Sequence, residues 1–124
     1  MKTLLIVTAV LEAVTGLALA VFPSVPVSLL LRSSFDTSTE VAVGRITGAA
    51  LLALGIACWF ARNDALSRAG KGLVMAMLIY NIAAVIVLVY AGIGLALSGI
   101  ALWPAVLLHA ILAVWCISCL RTHP

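Results

Sequence analysis

Charged residues are scarce in this chain. Only 9% of its 124 residues are Asp, Glu, Lys or Arg, against roughly 25% in an average soluble domain. Hydrophobic residues make up 65% of the chain, and its mean hydropathy is +1.31. A water-soluble globule of this length could not remove so much apolar surface from solvent. The scarcity of charge therefore excludes an ordinary soluble domain and predicts a protein whose solvent is lipid.

The sequence also lacks the short motifs that identify common chemistries. It contains no phosphate-binding glycine loop, nucleophile elbow or zinc-protease motif. Its three cysteines are an odd number and lie in apolar segments, which excludes a secreted disulfide framework. The seven Lys and Arg residues are scattered, so the net charge of +3 forms no patch for nucleic acid. We therefore predict no metal site, no nucleic-acid partner and no catalytic residues.

Four apolar segments are long enough to cross a bilayer. A helix needs about 20 mainly apolar residues to span a hydrocarbon core of roughly 30 Å. The alternation typical of barrel strands is absent, and lipid cannot satisfy free backbone groups, so helices are the remaining way to span. We predict a single all-α domain over residues 1–124, an integral-membrane four-helix bundle. Its helices cover about residues 3–22, 38–61, 72–92 and 101–120.

The ends of these segments carry further signals. The N-terminus resembles a signal peptide, but Glu12 interrupts its apolar run, and that run continues to Phe22, so we interpret it as the first membrane helix. Thr37 and Glu40 have the spacing of a capping box that opens the second helix. The outer link between these helices, residues 23–37, is largely apolar, which predicts a segment in the outer interface or over the bundle mouth.

Basic residues are distributed unequally between the two ends of the predicted bundle. Cytoplasmic loops of membrane proteins carry an excess of Lys and Arg. We therefore predict that both termini are cytoplasmic, an N-in and C-in orientation. Five basic residues then lie on the cytoplasmic side, namely Lys2, Arg62, Arg68, Lys71 and Arg121. Two lie toward the outside, Arg32 and Arg45.

Polar residues within the predicted spans are the best indication of function. Counting 1.5 Å per residue, Glu12, Asn81 and His109 fall near the bilayer midplane, and Arg45 lies roughly 5–7 Å below the outer surface. Such groups are rare in lipid and often mark ligand sites or proton relays. We predict that these four residues form a binding or proton site. Arg45 would reach down toward the other three.

A structural role is the alternative for each of these residues. Glu12 and His109 would then form a buried hydrogen bond or pair, and Asn81 would join two helices. Arg45 would be an interfacial anchor paired with Asp36 or Glu40. Small residues at four-residue spacing let helix backbones approach closely. They predict three packing positions, Gly16, Gly44 and Gly48.

Cys116 and Cys119 form a CxxC, the spacing of a redox or metal-binding pair. One turn of helix brings both sulfurs to one side. The predicted topology places them at the cytoplasmic end, where thiols stay reduced, and cysteine is common in apolar helices. The pair is therefore a redox candidate of lower weight than the polar residues above.

The polar and small residues just described, spread over four short helices, resemble the DoxX-like group of small bacterial membrane proteins. The resemblance spans most of the chain and implies a compact bundle in the bacterial inner (plasma) membrane. For some relatives it implies an accessory role in quinone or thiol redox systems, so quinone is the one cofactor implied. The residues that carry the resemblance are Glu12 with Gly16, Gly44 and Arg45 with Gly48, Asn81, and His109.

Three hypotheses of function follow. The first is an accessory subunit or self-associating scaffold without catalysis of its own, favoured because polar groups are few and no extramembrane domain is present. The second is a proton-coupled transporter or binder of a small molecule that uses Glu12 and His109. The third is a quinone- or thiol-linked redox protein that uses Cys116 and Cys119. An enzymatic role is the less favoured interpretation.

Overall fold

The chain is built from helices joined by short links. The structure, a computed structural model, describes residues 1–35 and 37–122, and every regular element within them is helical. Four helices are long and apolar enough to cross a membrane, which confirms the predicted all-helical class. The elements are α1 (Lys2–Val21), α2 (Ser24–Leu31), α3 (Ser38–Ala61), α4 (Arg68–Val89) with a π-helical turn (Tyr90–Gly94), and α5 (Leu102–Thr122).

Local capping explains where the helices begin. The capping box at the start of α3 is confirmed, because Thr37 accepts a hydrogen bond from the Glu40 amide while the Glu40 carboxylate accepts one from the Thr37 amide. α4 begins at Arg68, four residues before the predicted position 72. The reason is that the Ser67 hydroxyl accepts a hydrogen bond from the Gly70 amide and caps the helix at that point.

The four long helices pack as two close pairs, α1 with α3 and α4 with α5. The first pair is the closer, because glycines lie where the two backbones meet. A Cβ on Gly16 would lie 2.7 Å from the Gly48 carbonyl oxygen, and one on Gly55 would lie 2.8 Å from the Ala13 nitrogen. Gly44 packs differently, against Phe35 of the α2–α3 link and Pro23 at the start of α2. Gly55 is thus a contact residue that the sequence interpretation did not select.

The two halves of the bundle differ in how fully they are filled. At the end that holds the chain termini, apolar side chains from all four long helices form one buried cluster, which includes Leu5, Cys58, Val74 and Cys116. At the other end α2 lies across the helices and contacts α1 and α5. The link predicted to lie in the outer interface or over the bundle mouth therefore contains a helix that covers one end of the bundle.

Backbone hydrogen bonds hold α2 in this place. The Gly99 amide donates to the Leu30 carbonyl and the Ala101 amide donates to the Leu29 carbonyl, each at 2.9 Å. Carbonyls in the last turn of a helix have no partner within the helix, so these bonds satisfy two of them. The link between α4 and α5 thereby fastens the covering helix to the rest of the bundle.

Candidate functional site

A cavity of about 250 Å³ lies beneath α2, between α1, α4 and α5. Its walls are mostly leucine and alanine, with Pro26, Leu29 and Leu30 of α2 on one side. The polar side chains that line it come from three different helices. They are Glu12 and Thr15 of α1, Tyr80 of α4 and His109 of α5.

Glu12 is the buried carboxyl of this cavity. Only 3% of its surface is exposed, although Val10 and Val14 on the same helix are exposed. It lies on the same face of α1 as Thr8 and Gly16, which are also buried and which turn that face toward the other helices. The Tyr80 hydroxyl donates a hydrogen bond to its carboxyl group. A carboxyl in apolar surroundings is tolerated when a partner of this kind is present.

His109 and Asn81 form a hydrogen-bonded pair that joins α5 to α4. The distance between His109 Nδ1 and Asn81 Oδ1 is 2.8 Å. Asn81 is fully buried, and its Nδ2 donates to the Met77 carbonyl at 2.7 Å. A carbonyl oxygen can only accept a hydrogen bond, so the Asn81 amide atom that faces the Met77 carbonyl must be the donor, Nδ2. Oδ1 must then accept from His109, so the imidazole carries its proton on Nδ1 and leaves Nε2 as an acceptor.

Tyr80 is a site residue that the sequence interpretation missed. Its ring meets the His109 ring edge to face, with centroids 5.6 Å apart and planes at 83°. It therefore contacts both ionisable groups, since its hydroxyl is bonded to Glu12. A signal was present in the sequence. Tyrosines of membrane helices concentrate at the interfaces, whereas Tyr80 lies near the middle of its span, next to Asn81.

The structure places Arg45 apart from this group, which corrects the prediction that it reaches toward Glu12. Arg45 is exposed on α3 and lines a shallow surface depression with Phe22, Pro23 and Ser24. α3 turns its glycine ridge, not the stripe that holds Arg45, toward α1, because only glycine allows the observed backbone contact. Asp36, one of its two suggested partners, lies outside the described residues.

The cysteines lie among apolar side chains rather than at the cavity. Cys116 and Cys58 are fully buried and Cys119 is 7% exposed, and all three carry free thiols. They belong to the buried cluster with Leu5, Val74 and other apolar residues. Thiol exchange requires an accessible thiolate. This geometry therefore favours a packing role for the CxxC.

Replacing Asn81 by leucine is expected to release His109 from its single tautomer. The imidazole loses the acceptor for its Nδ1 proton, and the loss of a buried hydrogen bond costs about 1–3 kcal/mol of stability. ¹⁵N NMR of histidine-labelled protein in micelles measures the tautomer directly. The matched control is Ala83→Leu, which adds leucine at an exposed site of the same helix. An unchanged Nδ1 signal in Asn81→Leu would contradict the assigned hydrogen bond.

The site can therefore hold a small, mostly apolar molecule against a carboxyl, a phenol and an imidazole. Within residues 1–35 and 37–122, no group of three His, Cys, Asp or Glu residues is placed to hold a metal ion. Three of the four predicted residues, Glu12, Asn81 and His109, belong to the site or its support, and Arg45 does not. Comparison of the chain with protein-family models, curated proteins and solved structures finds no match to any of them.

Proposed function

We propose that this chain is a multi-pass protein of the bacterial inner membrane that binds a small, largely apolar molecule in the cavity between α1, α2, α4 and α5. Glu12 and His109 are its polar contacts and the groups that exchange a proton as the molecule enters. The observation that carries the proposal is the cavity itself, with polar groups from three helices around a volume of about 250 Å³.

The proposed membrane orientation follows from the basic residues. With both termini in the cytoplasm, the α3–α4 link contributes Arg62 and the first turn of α4 contributes Arg68 and Lys71 to that side. Arg62 also has a geometry suited to an interface, since its guanidinium lies 4.0 Å from the Trp59 ring centre and donates to the Trp59 carbonyl. The bacterial inner membrane and the relation to the DoxX-like group are proposed from the resemblance in sequence.

Binding explains the polar groups better than the predicted accessory or scaffold role does. A polar side chain inside a membrane is costly, and a bundle that only holds its shape gains nothing from an ionisable one beside a cavity. Asn81 and His109 join two helices, as a structural pair would, but His109 and Glu12 also face open volume. An accessory subunit could use the same cavity, so the two roles are compatible.

Filling the cavity tests this proposal. Ala105 lines the cavity from α5, and Ala105→Phe would place a phenyl ring inside it. We expect native mass spectrometry of the wild-type protein, extracted gently from its own membranes, to show a bound small molecule. The same adduct should fall at least tenfold in Ala105→Phe and in Glu12→Gln, because the first removes volume and the second removes the carboxyl.

Ala49→Phe is the matched control, since Ala49 is exposed on α3 away from the cavity. It should retain the adduct. If the adduct persists in both Ala105→Phe and Glu12→Gln, the molecule binds elsewhere and the proposed site is wrong. Binding of a partner protein without any small molecule would support the scaffold role instead.

A further inference from the structure

The polar side chains that line the cavity have already used most of their hydrogen-bond donors. The Tyr80 hydroxyl donates to Glu12. The Nδ1 proton of His109 is donated to Asn81, whose own amide is held by Met77. Of the lining side chains, only the Thr15 hydroxyl still has a proton free to donate. A bound molecule therefore meets few groups able to donate to it.

Acceptors, by contrast, remain available. A carboxylate has two oxygens with about four lone-pair positions, and Tyr80 occupies one of those on Glu12. His109 also lines the cavity. Its Nδ1 is bonded to Asn81, and its other ring nitrogen, Nε2, takes no part in that bond. Two residues with acceptors left, one on α1 and one on α5, thus line one volume. This arrangement favours a molecule that brings its own donors.

The charge of the lining points the same way. Glu12 is the one carboxyl among the lining residues, and no Lys or Arg is among them. Arg45, the basic residue that was predicted to reach the site, lies on the exposed face of α3. A positive charge on the ligand is balanced by an ionised Glu12, whereas a negative charge would lie unpaired in apolar surroundings.

We propose, building on the binding role above, that the ligand is a small apolar amine bound as its protonated primary ammonium. Its N–H groups donate to the Glu12 carboxylate and to His109 Nε2, and its apolar part fills the leucine-rich walls. A cavity of about 150 Å³ holds benzene, so 250 Å³ has room for roughly ten non-hydrogen atoms. 2-Phenylethylamine, which consists of one ring and a two-carbon arm with the amine, is a probe of this size.

Other ligand classes fit this wall less well. A carboxylate brings negative charge to Glu12, and an oxidised quinone offers carbonyl acceptors to a wall that is rich in acceptors. A quaternary ammonium carries the charge but has no N–H to donate. The donors and acceptors that line the cavity therefore favour a primary amine over the quinone implied by the family resemblance. They also favour it over a permanently charged cation.

Four probes with the same ring and arm test the inference on the full chain in lipid nanodiscs. They are 2-phenylethylamine, its N,N,N-trimethyl analogue, 2-phenylethanol and 3-phenylpropanoate. Binding is measured by isothermal titration calorimetry, with empty nanodiscs subtracted because each probe partitions into lipid. The primary amine should bind roughly tenfold to hundredfold more tightly than each of the others, as expected for a charge-assisted hydrogen bond.

Glu12→Gln should remove that preference, so that the amine binds no more tightly than 2-phenylethanol. A circular dichroism spectrum like that of wild type shows that the variant is still folded. Asp64→Asn is the control, since it removes an exposed carboxyl from the α3–α4 link. If the alcohol, the anion or the trimethyl analogue binds wild type as tightly as the amine, or if Glu12→Gln keeps the preference, the ammonium inference is wrong and the cavity still binds small molecules. If wild type binds none of the probes above the lipid background, both this inference and the proposed function are overturned.

Discussion

Gly48→Leu is expected to separate α1 from α3 and to destabilise the bundle by about 3 kcal/mol, the upper part of the usual range for overpacking. A Cβ at Gly48 would lie 2.6 Å from the Gly16 carbonyl oxygen and would also meet the Ala20 nitrogen. Both atoms belong to the facing backbone, so no side-chain rotation can relieve the contact. The helices must move apart, and the packing contacts between α1 and α3 are lost along with the closest approach.

The measurement is equilibrium unfolding in mild detergent, followed by circular dichroism as a denaturing detergent is added. Gly72→Leu is the matched control, because a Cβ at Gly72 has no atom within 4 Å. That variant should be as stable as wild type or slightly more stable, since leucine favours helix over glycine. Equal stability of the two variants would show that α1 and α3 do not meet at Gly48.

Gly99→Val is expected to lift α2 off the bundle and to open the cavity. A Cβ at Gly99 would lie 2.6 Å from the Leu29 carbonyl carbon and closer still to its oxygen. The same residue donates the amide that holds the Leu30 carbonyl. The added methyl groups therefore push apart the two segments that this bond joins, and Pro26, Leu29 and Leu30 withdraw from the cavity wall.

Two measurements test whether the cavity opens in Gly99→Val. Amide hydrogen exchange at Ala101 should accelerate, because its bond to the Leu29 carbonyl is lost. 2-Phenylethylamine should bind at least tenfold more weakly than to wild type, because the apolar wall that α2 contributes is gone. Ser98→Val changes the exposed neighbouring residue and should leave both unchanged. Wild-type exchange at Ala101 in Gly99→Val would mean that the α4–α5 link does not hold α2.

Much of the helical framework was predictable from local physics. Hydropathy and length identify the four long helices, and the start of α3 follows from a capping box between two residues three apart. The start of α4 was predicted four residues too late, at position 72. The Ser67 side chain caps the helix ahead of that position. α2 was foreseen as a segment over the bundle mouth but not as a helix, since eight residues with an internal proline give a weak helical pattern.

The candidate site was predictable only in part. Glu12, Asn81 and His109 stand out in sequence because ionisable and amide groups are rare at the centre of apolar spans. Tyr80 stands out only by its position near the middle of a span, and its contacts with Glu12 and His109 are set by helix packing. Arg45 was assigned to the site because it is a charged residue within a predicted span, although its depth in the membrane does not determine which face of the bundle it lies on.

The sequence by itself determined that this chain forms apolar helices and which polar groups lie within them, because both depend on composition and on the 1.5 Å rise of a helix. Only the tertiary structure decided which faces meet. The rotation of each helix about its axis is set by backbone contact, and here glycines at 16, 48 and 55 turn Glu12 inward and leave Arg45 outside. The cavity and its excess of acceptors are consequences of that rotation, since they depend on side chains from helices far apart in the chain.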